Sequence, residues 1–381
     1  MNPSPVIYNG IIPTERKTGY FKQLKEEKEM ARKFGIIGHG FMGHEHEAML
    51  TKLDGIEVVA ISDIDPEQLK DVPEGIRAYT DASKLINDPD VEVVLIAANN
   101  NQHKKLVIEA AGAGKQVLCE KPVALSLQDL DEMEAACKKA GVTFTVHQQR
   151  RFDPDFRTAK NVFDSGELGD LYVVKSGLYG FNGNMHDWHV FMDQGGGMLY
   201  DWGVHLIDQM LWMVPGKVTQ VFANLRNVIN KEVDDYFHIM LRFESGLVGE
   251  IELGTYYLTD KPHHFERHWF LGGNKGSAYI DGFFPEGRIV HTDGLLKNVG
   301  GQRTMTAAGP TRSFGPPPEG KLILKDLPVA STKHSDYFEN YLKALDGKEE
   351  FLVKIPETRR VLRLMDTVRE SARLGKSLDF E

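Results

Sequence analysis

The sequence predicts two units in tandem: a parallel α/β unit, then an α+β unit with a largely antiparallel open sheet. Three observations carry this. From Lys33 to about residue 154, short apolar runs alternate with amphipathic stretches, the signature of a parallel sheet covered on both faces. Within FGIIGHGFMG, Gly38, Gly40 and Gly43 fill a G-x-G-x-x-G spacing just after the first apolar run. After about residue 155, strand-like runs succeed one another with one strong helix among them.

In the first unit, strands are expected at Phe34–Ile37, Glu57–Ser62, Arg77–Tyr79, Val91–Ala98, Gln116–Cys119 and Thr143–His147. These runs are short, apolar and rich in Val and Ile. Helices are expected at His44–Leu53, Pro66–Lys70, Ala82–Asn87, Asn101–Ala113 and Leu127–Ala140. The second unit opens with a helix at Phe156–Ser165, ended by SGELGD. Strands follow at Leu171–Tyr179, Val218–Val228, Tyr236–Phe243, Leu247–Tyr257, Glu266–Leu271 and Gly276–Ile280, interrupted by the helix Gly197–Val214. Gly300–Glu319, rich in Gly, Pro, Thr and Arg, is expected to be a loop. Helices at His334–Leu345 and Pro356–Leu374 close the chain. The expected partition is residues 1–32 as an extension, 33–154 as a nucleotide-binding unit and 155–381 as a substrate and assembly unit, whose last helices are free to pack back on the first. The extension carries Ile7, Tyr8, Ile11 and Ile12 and reads as a solvated tail or a subunit contact.

Composition narrows the function classes. The 381 residues suit two cores rather than one. A net charge of −10 gives no reason to expect nucleic acid. No apolar stretch is long enough to span a membrane, and the first residues lack the basic-then-apolar order of a signal peptide. Two cysteines, Cys119 and Cys137, show no metal-ligand spacing and fit a reducing cytoplasm.

The glycine spacing points to a dinucleotide. The first glycine allows a tight turn, the second lets a pyrophosphate approach the backbone, and the third lets the helix pack on the strand. Phe41 and Met42 lie between them, at a helix N-terminus that presents free N–H groups. Twenty residues beyond Gly43, Asp63 ends the run IEVVAISD, followed by Ile64. A carboxylate there hydrogen-bonds the adenosine ribose hydroxyls and repels a 2′-phosphate. No basic residue precedes Lys70, so NAD is favoured over NADP. At the tip of the fourth expected strand, Asn99, Asn100 and His103 offer amide and imidazole contacts to ribose or nicotinamide, or an ordinary helix N-cap.

Four further clusters and one arginine carry chemistry. Glu120 and Lys121 end the strand QVLC, ahead of Pro122. Lys121 is placed to steady a developing alkoxide, and Glu120 to accept from the nicotinamide ribose. In GGGMLYDWGVHLIDQM, Asp201, His205 and Asp208 are spaced i, i+4, i+7, which puts them on one helix face. His205 is the candidate base, with Asp201 orienting its ring and favouring its protonated form. Trp202 lies in the same segment and is a candidate cofactor contact. His186, Asp187, Trp188 and His189 form a polar aromatic loop, suited to a sugar ring or an ordinary surface loop. Arg151 follows the sixth strand, able to bind a phosphate or substrate oxygen or to anchor the joint between units. His263, His264 and His268 form another cluster, His264 being a candidate substrate contact. Their spacing matches no standard zinc motif, so no metal is expected.

Taken together, GIIGHGFMGHEH, AISDIDPE, GKQVLCEKPVALS, QRRFDPDF, SGELGD and GGGMLYDWGVHLID resemble the Gfo/Idh/MocA oxidoreductase family. The resemblance spans about Phe34 to Leu211, and the closing KSLDF is similar too. The extension is a departure, as is NNNQH, where the family often has Thr-Pro. The resemblance implies a Rossmann domain binding NAD(P) and a second domain whose open sheet carries substrate residues and builds oligomers. It implies that Lys121, Asp201 and His205 form the catalytic group acting on secondary hydroxyls of sugars, cyclitols or glycosides. Some members recycle NAD internally for glycoside cleavage, and a non-enzymatic sensor on the same fold is a further alternative. A homo-oligomer paired sheet to sheet is expected, on the reasoning that Leu247, Ile251, Leu253, Tyr257 and Trp269 form a bare apolar face.

Overall fold

The computed structural model describes residues 31–258, 265–292, 303–311 and 320–381. Six strands build the first sheet: β1 (Arg32–Ile37), β2 (Ile56–Ser62), β3 (Arg77–Tyr79), β4 (Val93–Ile96), β5 (Gln116–Glu120) and β6 (Phe144–His147). All pair in parallel, in the order β3-β2-β1-β4-β5-β6. β4 is buried along its whole length, because a parallel sheet is covered on both faces. The order reverses between β1 and β4, which opens a crevice at their carboxyl ends. The first helix is α1 (Phe41–Leu50), three residues ahead of the expected start. Gly40 caps it, so the third glycine lies inside the helix. The other helices of this unit are α2 (Ala82–Ile86), α3 (His103–Gly112) and α4 (Leu127–Ala140).

The second sheet has nine strands. These are β7 (Leu171–Gly180), β8 (Val218–Arg226), β9 (Tyr236–Phe243), β10 (Val248–Gly254), β11 (Phe265–Gly273), β12 (Gly276–Asp281), β13 (Glu286–His291), β16 (Ile323–Lys325) and β17 (Leu378–Asp379). The order is β16-β13-β12-β11-β7-β10-β9-β8-β17. β7 and β10 pair in parallel, while the other neighbours are antiparallel. Within the segment expected to be a loop, β14 (Met305–Thr306) and β15 (Gly309–Pro310) form a small hairpin. β13, β16 and β17 were not anticipated; the last two are too short to show a period.

Helices cover one face of this sheet: α5 (Pro154–Ser165), α6 (Val204–Met213) and the C-terminal α8 (Ile355–Leu374), which follows α7 (Asp336–Leu345). Phe156 on α5 packs against Trp269, with ring centroids 5.8 Å apart. The expected bare apolar face is corrected here. Leu247, Ile251, Leu253 and Trp269 lie on the helix-covered side and are buried. Alternation then sends Glu250 and Glu252 to the open side. There Lys175 pairs with Glu250 at 2.9 Å, and the hydroxyls of Tyr179, Tyr236 and Tyr257 donate to Glu252 at 3.1–3.2 Å. Of the five residues, Tyr257 is exposed. The open face is therefore charged and phenolic, and the argument from a bare apolar surface does not hold.

The last helices also complete the first unit. Tyr337 donates its hydroxyl to Val146 O at 2.9 Å, and Thr145 donates to Val353 O at 2.7 Å. Tyr341 meets Phe34 edge-on at 6.0 Å, and Phe338 packs beside His46 and His147. Burying these three rings against the sheet contributes about 1.5–3 kcal/mol per large apolar side chain. Among the described residues, no helix is long and apolar enough to cross a membrane.

Candidate active site

A cleft of about 530 Å³ opens at the carboxyl ends of β1, β2 and β4, lined by Gly38, Gly40, Asp63, Ile64 and Asn99 among others. The turn above it is built from close backbone contacts. At Gly38, φ is +91° and a Cβ would sit 2.6 Å from the Ala97 carbonyl; at Gly43 it would sit 2.1 Å from Gly38 O. At Gly40 a Cβ would meet nothing within 4 Å, so this position leaves room above the loop. No side chain caps α1 and its first turn holds no acid, which leaves its N–H groups available to an anion. Asp63 is fixed by its own neighbours. Its Oδ2 accepts from the His39 N–H at 2.6 Å and its Oδ1 from the Asp65 N–H at 2.9 Å. Phe41 and Ile64 are strongly exposed, and Met42 partly so. These features fit a dinucleotide: an open glycine, free amides and a positioned carboxylate.

Three residues expected to contact the cofactor are engaged elsewhere. His103 is buried in α3, its ring bridging Ala98 O at 2.9 Å and Pro122 O at 3.0 Å. It ties the tip of β4 to the turn after β5, where the Lys121–Pro122 bond is cis. Asn100 is buried and donates to Gln194 O at 3.2 Å, clasping the second unit. Glu120 does not face a ribose. One oxygen accepts from both His46 Nε2 and His147 Nδ1 at 2.7 Å, and the other from the Lys121 N–H at 3.0 Å. Burial opposes its charge, yet His147 and His46 hold its carboxyl well below the usual range.

Arg151 likewise leaves the site. Its guanidinium is buried and grips Asp208 through two bonds of 2.7 Å. It also donates to Glu357 at 2.9 Å and Leu352 O at 2.8 Å. Each nitrogen of the guanidinium is engaged within the protein, which commits its charge to the joint. Of the two roles the sequence left open, the structure places it at the joint.

Lys121 projects from the first unit to meet the second. Its Nζ lies 2.9 Å from Asp201 Oδ1 and 3.0 Å from Asp201 O. Asp201 does not share a face with His205 and Asp208. Leu199–Gly203 forms a π-helical turn, and α-helix resumes at Val204. A π turn inserts an extra residue, which rotates Asp201 away from the His205 row. The three residues thus serve three partners: Asp201 holds Lys121, His205 meets Gln148, and Asp208 holds Arg151. Burial opposes the Asp201 charge, but Lys121 and then His189 bring its carboxyl below the usual range. The His189 ring nitrogen lies 3.6 Å from Asp201 Oδ2.

His205 is buried, with Nδ1 2.8 Å from Gln148 Oε1. The expectation that Asp201 orients this ring and keeps it protonated is corrected on both counts. Burial first, then the charges of Lys121 and Arg150, hold its pKa well below the usual histidine value. The ring is neutral, with its proton on Nδ1 toward Gln148 and a lone pair on Nε2. Gln148 and Arg150 were not singled out from the sequence. Their signal lay in QQRRF, at the tip of β6. The Arg150 guanidinium stacks on Trp202 at 4.0 Å, so Trp202 forms a wall of the site, 6.0 Å edge-on from His205.

Of the aromatic loop, His186 and Asp187 are exposed and pair at 2.6 Å, while Trp188 stacks on His189 at 3.8 Å. His264 and His263 lie outside the described residues. Among the described residues, two groups bring together enough ligand types for a metal, His39–His44–Glu47 and His46–Glu120–His147. In the second, the converging atoms are hydrogen-bonded to one another.

Comparison with known proteins agrees with this architecture. A family described as oxidoreductase, NAD-binding Rossmann fold, matches residues 32–148, and the Gfo/Idh/MocA C-terminal domain matches residues 156–279. The chain is 30% identical over 269 residues to myo-inositol 2-dehydrogenase of Thermotoga maritima, spanning 68% of this chain and 78% of that protein. It is 30% identical over 258 residues to 2,7-anhydro-N-acetylneuraminate hydratase of Mediterraneibacter gnavus, spanning 65% and 67%. The crystal structure of an NAD-binding protein from Listeria innocua superposes with a TM-score of 0.80 at 32% identity, covering 91% of this chain and 96% of that one. With an NAD-binding Rossmann fold, an antiparallel second domain and these relatives, the chain belongs to the Gfo/Idh/MocA family of oxidoreductases.

Proposed function

We infer that this protein is an NAD-dependent dehydrogenase acting on a secondary hydroxyl of a sugar, cyclitol or glycoside. One observation carries the reading. Lys121 from the first unit and Asp201 from the second meet at 2.9 Å beside a buried His205 whose pKa burial holds low. When bound, NAD supplies the hydride acceptor, with Gly38–Gly43 and the N-terminus of α1 holding its phosphates. Asp63 favours NAD over NADP, because a 2′-phosphate would face its carboxylate. His205 Nε2 takes the hydroxyl proton, and Gln148 keeps the tautomer that leaves this nitrogen free to accept. The Lys121 ammonium donates to the oxygen as it becomes an alkoxide, and Asp201 keeps that ammonium charged and aimed. Trp202 with Arg150, and the His186–His189 loop, supply the aromatic and polar walls that a sugar ring needs.

The test is a panel of polyols, aldoses and glycosides with NAD, followed by absorbance and by product mass. Stoichiometric NADH with a ketone product supports the reading; no NADH from any member sinks it. A second reading is favoured by the relatives of 29–30% identity named as hydratases: NAD is recycled within the site and the product is a hydrate or cleaved glycoside. Product formed without net NADH selects it. For assembly, we propose a homo-oligomer paired through the charged, phenolic open face; a mass equal to one 42.9 kDa chain in light scattering would rule that out.

A further inference from the structure

The turn carrying Asp201 rests on a half-buried acid that neither the reaction above nor the family motifs use. Asp234, just before β9, is tied to the start of that turn at three points. Its Oδ2 accepts from the Leu199 N–H at 2.7 Å. Its backbone oxygen accepts from the Met198 N–H at 2.9 Å. Its Oδ1 abuts Gly197, where φ is +98° and a Cβ would sit 2.6 Å away, so a side chain at residue 197 would push the acid off its seat. Gly197 O in turn accepts from the Asp201 N–H at 3.0 Å. The path from Asp234 to Asp201 is therefore short: hydrogen bonds to Met198 and Leu199, a packing contact at Gly197, and the Gly197–Asp201 hydrogen bond.

We propose that Asp234 is a positioning residue: it seats the π turn so that Asp201 meets Lys121 across the two units. The inference rests on the dehydrogenase reading for what Asp201 does, though not for the seating itself. The chemistry of the seat gives it a pH dependence. Burial pushes the Asp234 carboxyl up to about 6, against the pull of the Leu199 amide and of Arg369 on α8, with Asp235 adding to the rise. Arg369 itself stacks on Tyr200 of the same turn, 4.0 Å from its ring. A raised carboxyl pKa means that the seated state favours the protonated acid over the unseated, solvated one. The seat is then firmest at acid pH and weakens as pH rises through about 6.

The experiment needs no substrate for its first arm. Hydrogen exchange of peptides covering residues 196–203 is compared with Rossmann peptides in the full-length protein, its Asp234→Asn variant and its Asp234→Ala variant, from pH 5 to 7.5. Asn keeps the acceptor and cannot ionise. In the unaltered chain, protection of 196–203, corrected for intrinsic exchange, should fall by about tenfold across that range, as linkage from an ordinary carboxyl value to about 6 requires. In Asp234→Asn the fall should vanish, and in Asp234→Ala protection should be low throughout. Equal protection in all three proteins overturns the proposal, as does a pH dependence that persists in Asp234→Asn. The second arm measures turnover on whichever polyol the panel identifies. Asp234→Ala should lower kcat by about tenfold with NAD affinity unchanged, and Asp234→Asn should restore it. Should Asp234→Ala fail to fold, the Asn arm alone decides. Exchange that behaves as expected while no polyol is oxidised keeps the seat and sinks the dehydrogenase reading.

Discussion

The cofactor cleft and the proposed catalytic floor are built on opposite plans. The cleft is made of backbone, and its key position is an absence: nothing within 4 Å of where a Cβ of Gly40 would be. The floor is made of side chains that are already paired, Lys121 to Asp201, His205 to Gln148, Asp208 to Arg151. The first waits for a ligand to satisfy its amides. The second has spent most of its hydrogen bonds on holding itself in place. A loss in the cleft should therefore show as affinity, and a loss in the floor as turnover or stability.

The strongest break of that comparison is Arg151→Ala. It strands Asp208 and half of Glu357's pairing in a buried joint, a loss expected to cost about 3–5 kcal/mol of stability. Urea unfolding should show the midpoint fall. A fall of under about 1 kcal/mol would mean that water reaches the joint and the grip is weak. Next come Lys121→Ala and His205→Ala, each expected to lower kcat by about 10²-fold while NAD affinity, read by calorimetry, stays within a few-fold. Near-normal kcat in His205→Ala would reduce His205 to a packing residue.

Substitutions in the cleft sharpen the contrast from the other side. Gly40→Ala fits without a clash in the free protein, so its melting temperature should hold while NAD binding weakens by about tenfold or more. Gly43→Ala drives a methyl into Gly38 O and should lose stability as well. Asp63→Ala should narrow an NAD over NADP preference of about tenfold; equal affinities in the unaltered protein would remove the assignment. The smallest effect is a pH dependence. The Glu120 carboxyl is held low by His147 and His46 against burial. Its contribution to stability is then present above the ordinary carboxyl value and lost as pH falls below it. Glu120→Gln should flatten the acid side of the melting-temperature profile between about pH 5 and 3. An unchanged profile would show that another carboxylate governs acid unfolding.

The same contrast explains what could be read in the sequence. The cleft was legible because its glycines and Asp63 follow one strand-turn-helix-strand path, where spacing and geometry coincide. The strand runs of the first sheet were legible for a like reason, being short and uniformly apolar. The floor was legible only in part: Lys121, Asp201 and His205 were singled out, whereas Gln148 and Arg150, which no periodicity links to them, were not. Helical spacing misled at Asp201, since one π turn undoes the i, i+4 rule without any mark in composition. Glu120 and His103 misled because a polar residue at a strand tip can turn inward when two buried partners await it. The open face of the second sheet was misassigned by listing apolar residues without asking which parity the covering helices select.

One feature of the fold bears on the order in which the chain can be finished. Tyr337, Phe338 and Tyr341 pack against β1, β6 and His46, all of which are synthesised some two hundred residues or more earlier. The nucleotide-binding sheet thus emerges from the ribosome with one flank bare and stays so until nearly the whole second unit has been made. An early half-sheet of apolar strands is the kind of intermediate that aggregates or recruits a chaperone. The strands of the first unit are contiguous in sequence, yet its cover waits for residues beyond position 336.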